Sequence, residues 1–240
     1  MDPLTIILTV TALATVLTSK KTKAVISKFV PKQKLSVKSE LNKKLKILEK
    51  ELKAPGLRDF FMGAAYIESK YIPSAIRYES SGFNLVFNKK ENRYYSYFEN
   101  NPYRSKPYLW NYTGGLFQLF PATALKTEDQ TAFNLNPTSV FDVDYTIAYA
   151  IDYASRLYTY HDAKTWLDIR FGWSSLQLLK NKDNPDYYKK GSEVEGRIIN
   201  GVEKSGGDSN ILYIQYNNLF STYRNKYGFK KLLKFIQSIE

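Results

Sequence analysis

From Leu57 to Ile239 apolar residues recur mostly at the spacing of an α-helix, and this periodicity confines the chain to the mainly α class. The pattern is strongest over 141–160, where Ile147, Ala150, Ile151, Ala154 and Leu157 fall on one face. Further helices are predicted over 57–70, 164–179, 187–204, 210–227 and 229–239, with another over 123–131 continuing from near Phe117. Pro73, the loop at 181–185 and Gly206-Gly207-Asp208 punctuate them. Residues 83–112 break the pattern. Rich in Tyr, Asn, Lys and Pro, they read as a long loop or a small strand-bearing insertion.

The N-terminal fifth of the chain has a different character. Residues 3–19 carry no charge, and seventeen residues is the short limit of a membrane span. Met-Asp-Pro precedes them without a positive charge, and Ser19 runs into Lys20-Lys21 without a small-x-small cleavage site. An uncleaved anchor is therefore expected rather than a signal peptide. Next, Leu41, Leu45, Leu48 and Leu52 mark an amphipathic helix that packs on the following domain or pairs with another chain. Ala54-Pro55-Gly56 marks a boundary. Twelve lysines lie between 20 and 53 against Glu40, Glu49 and Glu51, so most of the formal charge of +12 belongs to this arm. Such an arm suits anionic lipid head groups, nucleic acid or an acidic wall polymer, and equally a solvated linker helix.

Composition narrows the chemistry. With no cysteine there is neither a disulfide nor a thiolate metal site, and His161 is the only histidine. A zinc hydrolase or a Ser-His-Asp triad is therefore not expected, and His161 reads as a surface or helix-end residue.

Two stretches carry candidate chemistry. Ala64-Ala65-Tyr66-Ile67-Glu68-Ser69-Lys70-Tyr71 ends an apolar helix on an acid-serine pair, which could hold a carboxyl group at the edge of a cleft. Phe61, Ala64, Ala65, Tyr66, Ile67 and Tyr71 would give Glu68 the partly apolar pocket that a general acid needs. Gly114-Gly115-Leu116-Phe117-Gln118-Leu119-Phe120-Pro121-Ala122-Thr123-Ala124 is a Gly-Gly turn leading into an apolar segment with one polar side chain, Gln118. Together the two resemble the Glu-Ser and Gly-Leu-Met-Gln-Leu-Met-Pro-x-Thr-Ala motifs of lytic transglycosylases, lysozyme-like enzymes that cleave peptidoglycan glycan strands. Asn136-Pro137 through Asp144 and the helix after it resemble the family's Asp-Pro turn and long helix.

The resemblance spans about Leu57 to Ile199 and implies a lysozyme-like helical domain. It also implies that Glu68 alone serves as acid and base, the substrate's own 2-acetamido group assisting, to give a 1,6-anhydro sugar. Ser69 and Gln118 would position the carboxyl group or the sugar, and Gly115 would let backbone approach the cleft. No cofactor and no metal are implied.

The family's Ala-Tyr-Asn-x-Gly motif is replaced by Asp168-Ile169-Arg170-Phe171-Gly172-Trp173. Phe171 can replace the tyrosine ring but not its hydroxyl, so Arg170, Trp173 or Ser174 would have to orient Glu68 or the sugar. Tyr188 stands where the family's closing tyrosine segment lies. Glu79, Glu99 and Asp144 are the possible second acids if the enzyme is instead a hydrolase. Glu68 and Gly115 are 47 residues apart, longer than the compact family version, because of the aromatic 83–112 insertion. That insertion suits a sugar-stacking wall or lid, or simple packing on the domain. Single-stranded nucleic acid is a minor alternative.

The expected organisation is a hydrophobic anchor over 1–19, a basic amphipathic segment over 20–56, the transglycosylase domain over 57–205 and a helical extension over 206–240. Expected partners are peptidoglycan, a membrane through the N-terminal helix, and other virion proteins; nucleic acid is not expected. The lysines after the anchor favour a cytoplasmic C-terminus, in conflict with a substrate outside the membrane. Carriage in a phage virion, in its membrane or tail, removes the conflict; the alternative location is anchored in the bacterial envelope. The competing class is a structural, wall-binding virion component with weakened catalysis on the same scaffold.

Overall fold

The computed structural model describes residues 37–78, 112–119, 137–215, 223 and 225–239. The anchor expected over 3–19, the helix over 123–131, Glu79, Glu99 and nearly all of the 83–112 insertion lie outside these residues. Two compact units are distinguished, 1–40 and 41–240. The four described residues of the first, 37–40, are helical.

The second unit is mainly α, as its periodicity predicts. It opens with helix α1 over 41–51, in which Leu41, Leu45 and Leu48 are fully buried, as is Leu52 just beyond. The amphipathic segment thus belongs to the core of the 41–240 unit, packing on the following helices as one of its two expected uses. Gly56, with φ of 84°, turns the chain into α2 (Leu57–Ser69). After a further turn comes β1 (Ile76–Tyr78), paired antiparallel with β2 (Tyr112–Gly114) so that Ile76 faces Gly114.

The C-terminal half is built from α3 (Val143–His161), α4 (Trp166–Ser174), α5 (Leu176–Lys180), α6 (Tyr188–Ser205) and α7 (Gly228–Gln237). Local chemistry explains their limits. The Asp142 carboxylate accepts the Asp144 and Tyr145 amides to start α3, and His161 ends it, as expected for the lone histidine. Thr165 and Asp168 form a reciprocal capping box at the start of α4.

Two expectations need correction. The single helix over 164–179 is two, because Ser175 is extended and its hydroxyl accepts the Leu178 amide, capping α5 anew. The helix expected over 210–227 is not continuous: residues Ser209–Tyr213 form one 3-10 turn, and Gln215 makes an isolated antiparallel bridge to Thr165.

Helix α6 crosses α2 at two glycines. A Cβ on Gly63 would lie 2.7 Å from the Val202 nitrogen, and one on Gly201 would lie 2.7 Å from the Gly63 carbonyl oxygen. The two backbones therefore touch where no side chain fits. This contact sets the position of the C-terminal half of α2, which carries Glu68.

Candidate active site

Glu68 occupies the last turn of α2, one residue before the helix ends. Lys70 and Tyr71 follow with φ of 54° and 62°, a left-handed pair that stops the helix and turns the chain toward β1. Glu68 is thereby held at a helix end beside a turn. Its side chain is only 11% exposed, and Arg170 Nη1 donates to its Oε1 at 2.7 Å.

Arg170 comes from α4 and is itself 5% exposed. Burial pulls its guanidinium below the usual range, and the Glu68 charge opposes that fall. Its Nε is buried and has no hydrogen-bond partner among the described residues. Of the three residues named from sequence as substitutes for the missing tyrosine hydroxyl and asparagine, Arg170 is the one that reaches Glu68.

The Gly-Gly segment forms a tight turn. Gly114 and Leu119 exchange backbone hydrogen bonds at 3.0 Å, closing residues 115–118 between them. Gly115 adopts φ of 76°, and a Cβ there would meet the Val140 carbonyl oxygen at 1.8 Å, so only glycine fits. This replaces the helix start expected near Phe117. The Gly115 amide donates to the Ala75 carbonyl, tying the turn to the strand entry after Glu68.

Gln118 and Ser69 turn inward. Gln118 Nε2 donates to the Ala75 and Gly115 carbonyls at 3.1 and 3.2 Å, and its Oε1 accepts the Thr113 hydroxyl at 3.0 Å. Its amide thus bridges groups of the chain itself rather than standing free for a sugar. Ser69 Oγ donates to the Ala65 carbonyl one turn back and is buried. Both residues shape the strand and helix around Glu68, and their polar groups are satisfied by the chain itself.

Helix α2, the Gly-Gly turn and α4 also meet in one aromatic cluster. Phe61 of α2 lies edge-on to Phe117 of the turn, with ring centres 5.4 Å apart. Trp173 of α4 lies edge-on to Phe61, to Phe117 and to Tyr153 of α3. Such contacts fix ring positions as well as burying area. Tyr153 donates its hydroxyl to the Gly172 carbonyl, and burial pushes that phenol up.

Phe171 is buried, its ring part of the core, while Ser174 is exposed. Tyr188 is 75% exposed at the first residue of α6. It lies thirteen residues, or about 20 Å of helix rise, before the Gly201 crossing with α2.

Asp144 is bound elsewhere. Lys44 Nζ donates to its Oδ1 at 2.6 Å and also to the Ile236 carbonyl at 3.2 Å, joining α1, α3 and α7. Sequence reading had not singled out Lys44; a lysine on the leucine face of an amphipathic helix was the available signal. No cluster of His, Cys, Asp and Glu suited to a metal occurs among the described residues. Nor is any helix among them long and apolar enough to cross a membrane.

The chain was compared with known protein families, curated proteins and solved structures. None matches.

Proposed function

We propose that this chain is a peptidoglycan lytic transglycosylase of lysozyme-like fold, with Glu68 as its single acid/base. The reading rests on one observation: a partly buried glutamate at a helix end is paired with Arg170 of the Asp168–Trp173 segment, on a helix whose Phe61 packs against Phe117 of the Gly114–Leu119 turn and Trp173. Glu68 would give its proton to the glycosidic oxygen as the bond to C1 of the muramyl sugar breaks, with the acetamido oxygen closing on C1. The carboxylate would then take the proton of the C6 hydroxyl as that oxygen replaces the acetamido group. The same carboxyl group begins and ends the cycle protonated, and no water is consumed. Residues 3–19 would hold the protein to a membrane, in a virion or in the bacterial envelope.

A second reading is favoured by the pair with Arg170. The resting ion pair holds a carboxylate, so acid catalysis requires the pair to open and a proton to arrive as glycan enters. A chain whose pair stayed closed would be a wall-binding virion component of weakened activity.

The test is mass spectrometry of fragments released from purified peptidoglycan by the full chain and by Glu68→Gln. The transglycosylase reading expects 1,6-anhydro-muramyl products from the parent only. Reducing-end products would mean hydrolysis and a second carboxylate. No release from a folded parent, on walls that a control lysozyme digests, would favour the structural reading.

A further inference from the structure

We propose that the two ends of the 41–240 unit together form a lysine face that lies on an anionic membrane surface. Two contacts place α1 alongside the C-terminal segment: Lys44 reaches the Ile236 carbonyl, and Glu51 accepts hydrogen bonds from Lys226 and Tyr227. Position 44 meets 236 and position 51 meets 226–227, so the two segments run antiparallel.

Each helix turns an apolar stripe inward. In α1 the stripe is Leu41, Leu45 and Leu48, and in α7 it is Phe229, Leu232, Leu233 and Ile236. At 100° per residue, Lys43, Lys46 and Lys50 lie about 180° from the leucines, and Lys231 and Lys234 lie opposite the α7 stripe. All five are exposed, as is Lys53 just after α1.

Two carboxylates in this region are paired with lysines that are not on the face, and a third is turned to the backbone. Glu49 accepts the Arg58 amide, Glu51 holds Lys226 and Tyr227, and Asp144 is bound to the buried Lys44. Five outward lysines therefore stand on two adjacent helices drawn from opposite ends of the unit, with Lys53 just beyond the first. Lipid is favoured over nucleic acid by two observations. Among the described residues of the two helices no large apolar or aromatic side chain is exposed, so a base-stacking platform is lacking. The same lysine-rich arm also begins with the uncharged stretch 3–19, so a bilayer is the anionic surface this arm is composed to meet.

The inference is independent of the chemistry at Glu68, and its test reads membrane binding alone. The full chain is used with Leu8→Asp and Leu13→Asp, which interrupt the apolar stretch so that it cannot insert by itself. Flotation is measured with phosphatidylcholine vesicles and with vesicles containing phosphatidylglycerol. Binding is expected only to the anionic vesicles, and it should disappear as salt shortens the screening length from about 10 Å to about 3 Å.

Each lysine at an anionic surface is worth roughly a fivefold change in partition, so K43E/K46E/K231E/K234E should weaken binding at least roughly a hundredfold. Charge reversal of exposed Lys189 and Lys190, at the start of α6, should change it little. Glutamine replacements at the same four positions are the alternative should the reversed variant lose its thermal transition. Equal binding to neutral vesicles would overturn the proposal. So would full retention in the four-site variant, or equal loss in the Lys189/Lys190 control. Preference for duplex DNA over anionic vesicles in direct competition would reassign the face to nucleic acid.

Discussion

Removing one member of the Glu68–Arg170 pair leaves a charge in a site that water barely reaches, since the two side chains are 11% and 5% exposed. Arg170→Met should therefore cost about 3–5 kcal/mol of stability. Adding Glu68→Gln removes the stranded charge, and the double variant should regain much of the loss. Urea unfolding of the four proteins in the cycle measures the coupling, and additive effects would mean that the pair carries no structural energy. At the same scale, Gly115 and Gln118 were legible as special positions, but their use was not. Gly115 yields room to a carbonyl of the turn at Val140, and Gln118 bonds to backbone two strands apart in sequence. Nothing in a local motif says whether a polar amide will face substrate or its own chain.

Helices were the most readable level because a single face must repeat at 3.6 residues for the element to bury anything. The limits of α3 and α6 follow the predicted ones within a few residues, with Asp142 capping the start of α3 and Gly206 the end of α6. The break at Ser175 escaped notice because apolar periodicity runs through it, while the cap that divides α4 from α5 is one hydroxyl. The crossing of α2 and α6 was equally hidden, since a glycine inside a helix signals only permissiveness until its neighbour is known. Gly63→Ala should cost about 1–3 kcal/mol by forcing the helices apart at Val202. On the proposed function it should also lower turnover, because the displaced helix carries Glu68. Chemical denaturation and the peptidoglycan assay, run on one preparation, would show whether the two losses move together.

At the scale of the whole 41–240 unit, α1 is part of the core. Each of its leucines contributes about 1.5–3 kcal/mol by burial. A chain cut to 57–240 should consequently lack a cooperative thermal transition and the near-UV signature of fixed aromatic rings, and retention of both would show α1 to be dispensable. The attachment of α1 is also pH-sensitive. Hydrogen bonds from Lys226 and Tyr227 hold the Glu51 carboxyl below its ordinary value of 4.5. A depressed carboxyl stabilises the fold fully above that ordinary value and loses the contribution as pH falls through the lowered one. The difference in melting temperature between the parent and Glu51→Gln should thus be present at neutral pH and vanish in acid.

The sequence alone determined the helical class, several of the places where chain direction changes and the choice of a candidate acid, because periodicity, glycine freedom and carboxyl chemistry are local properties. Tertiary structure decided the rest. It made Arg170 the partner of Glu68, turned Ser69 and Gln118 toward their own backbone, and drew α1 and α7 together through Lys44 and Glu51. Each of those outcomes depends on which distant groups arrive at a given side chain. A buried charge or amide takes the partner that the completed core brings within hydrogen-bond reach, and no spacing along the chain encodes that distance.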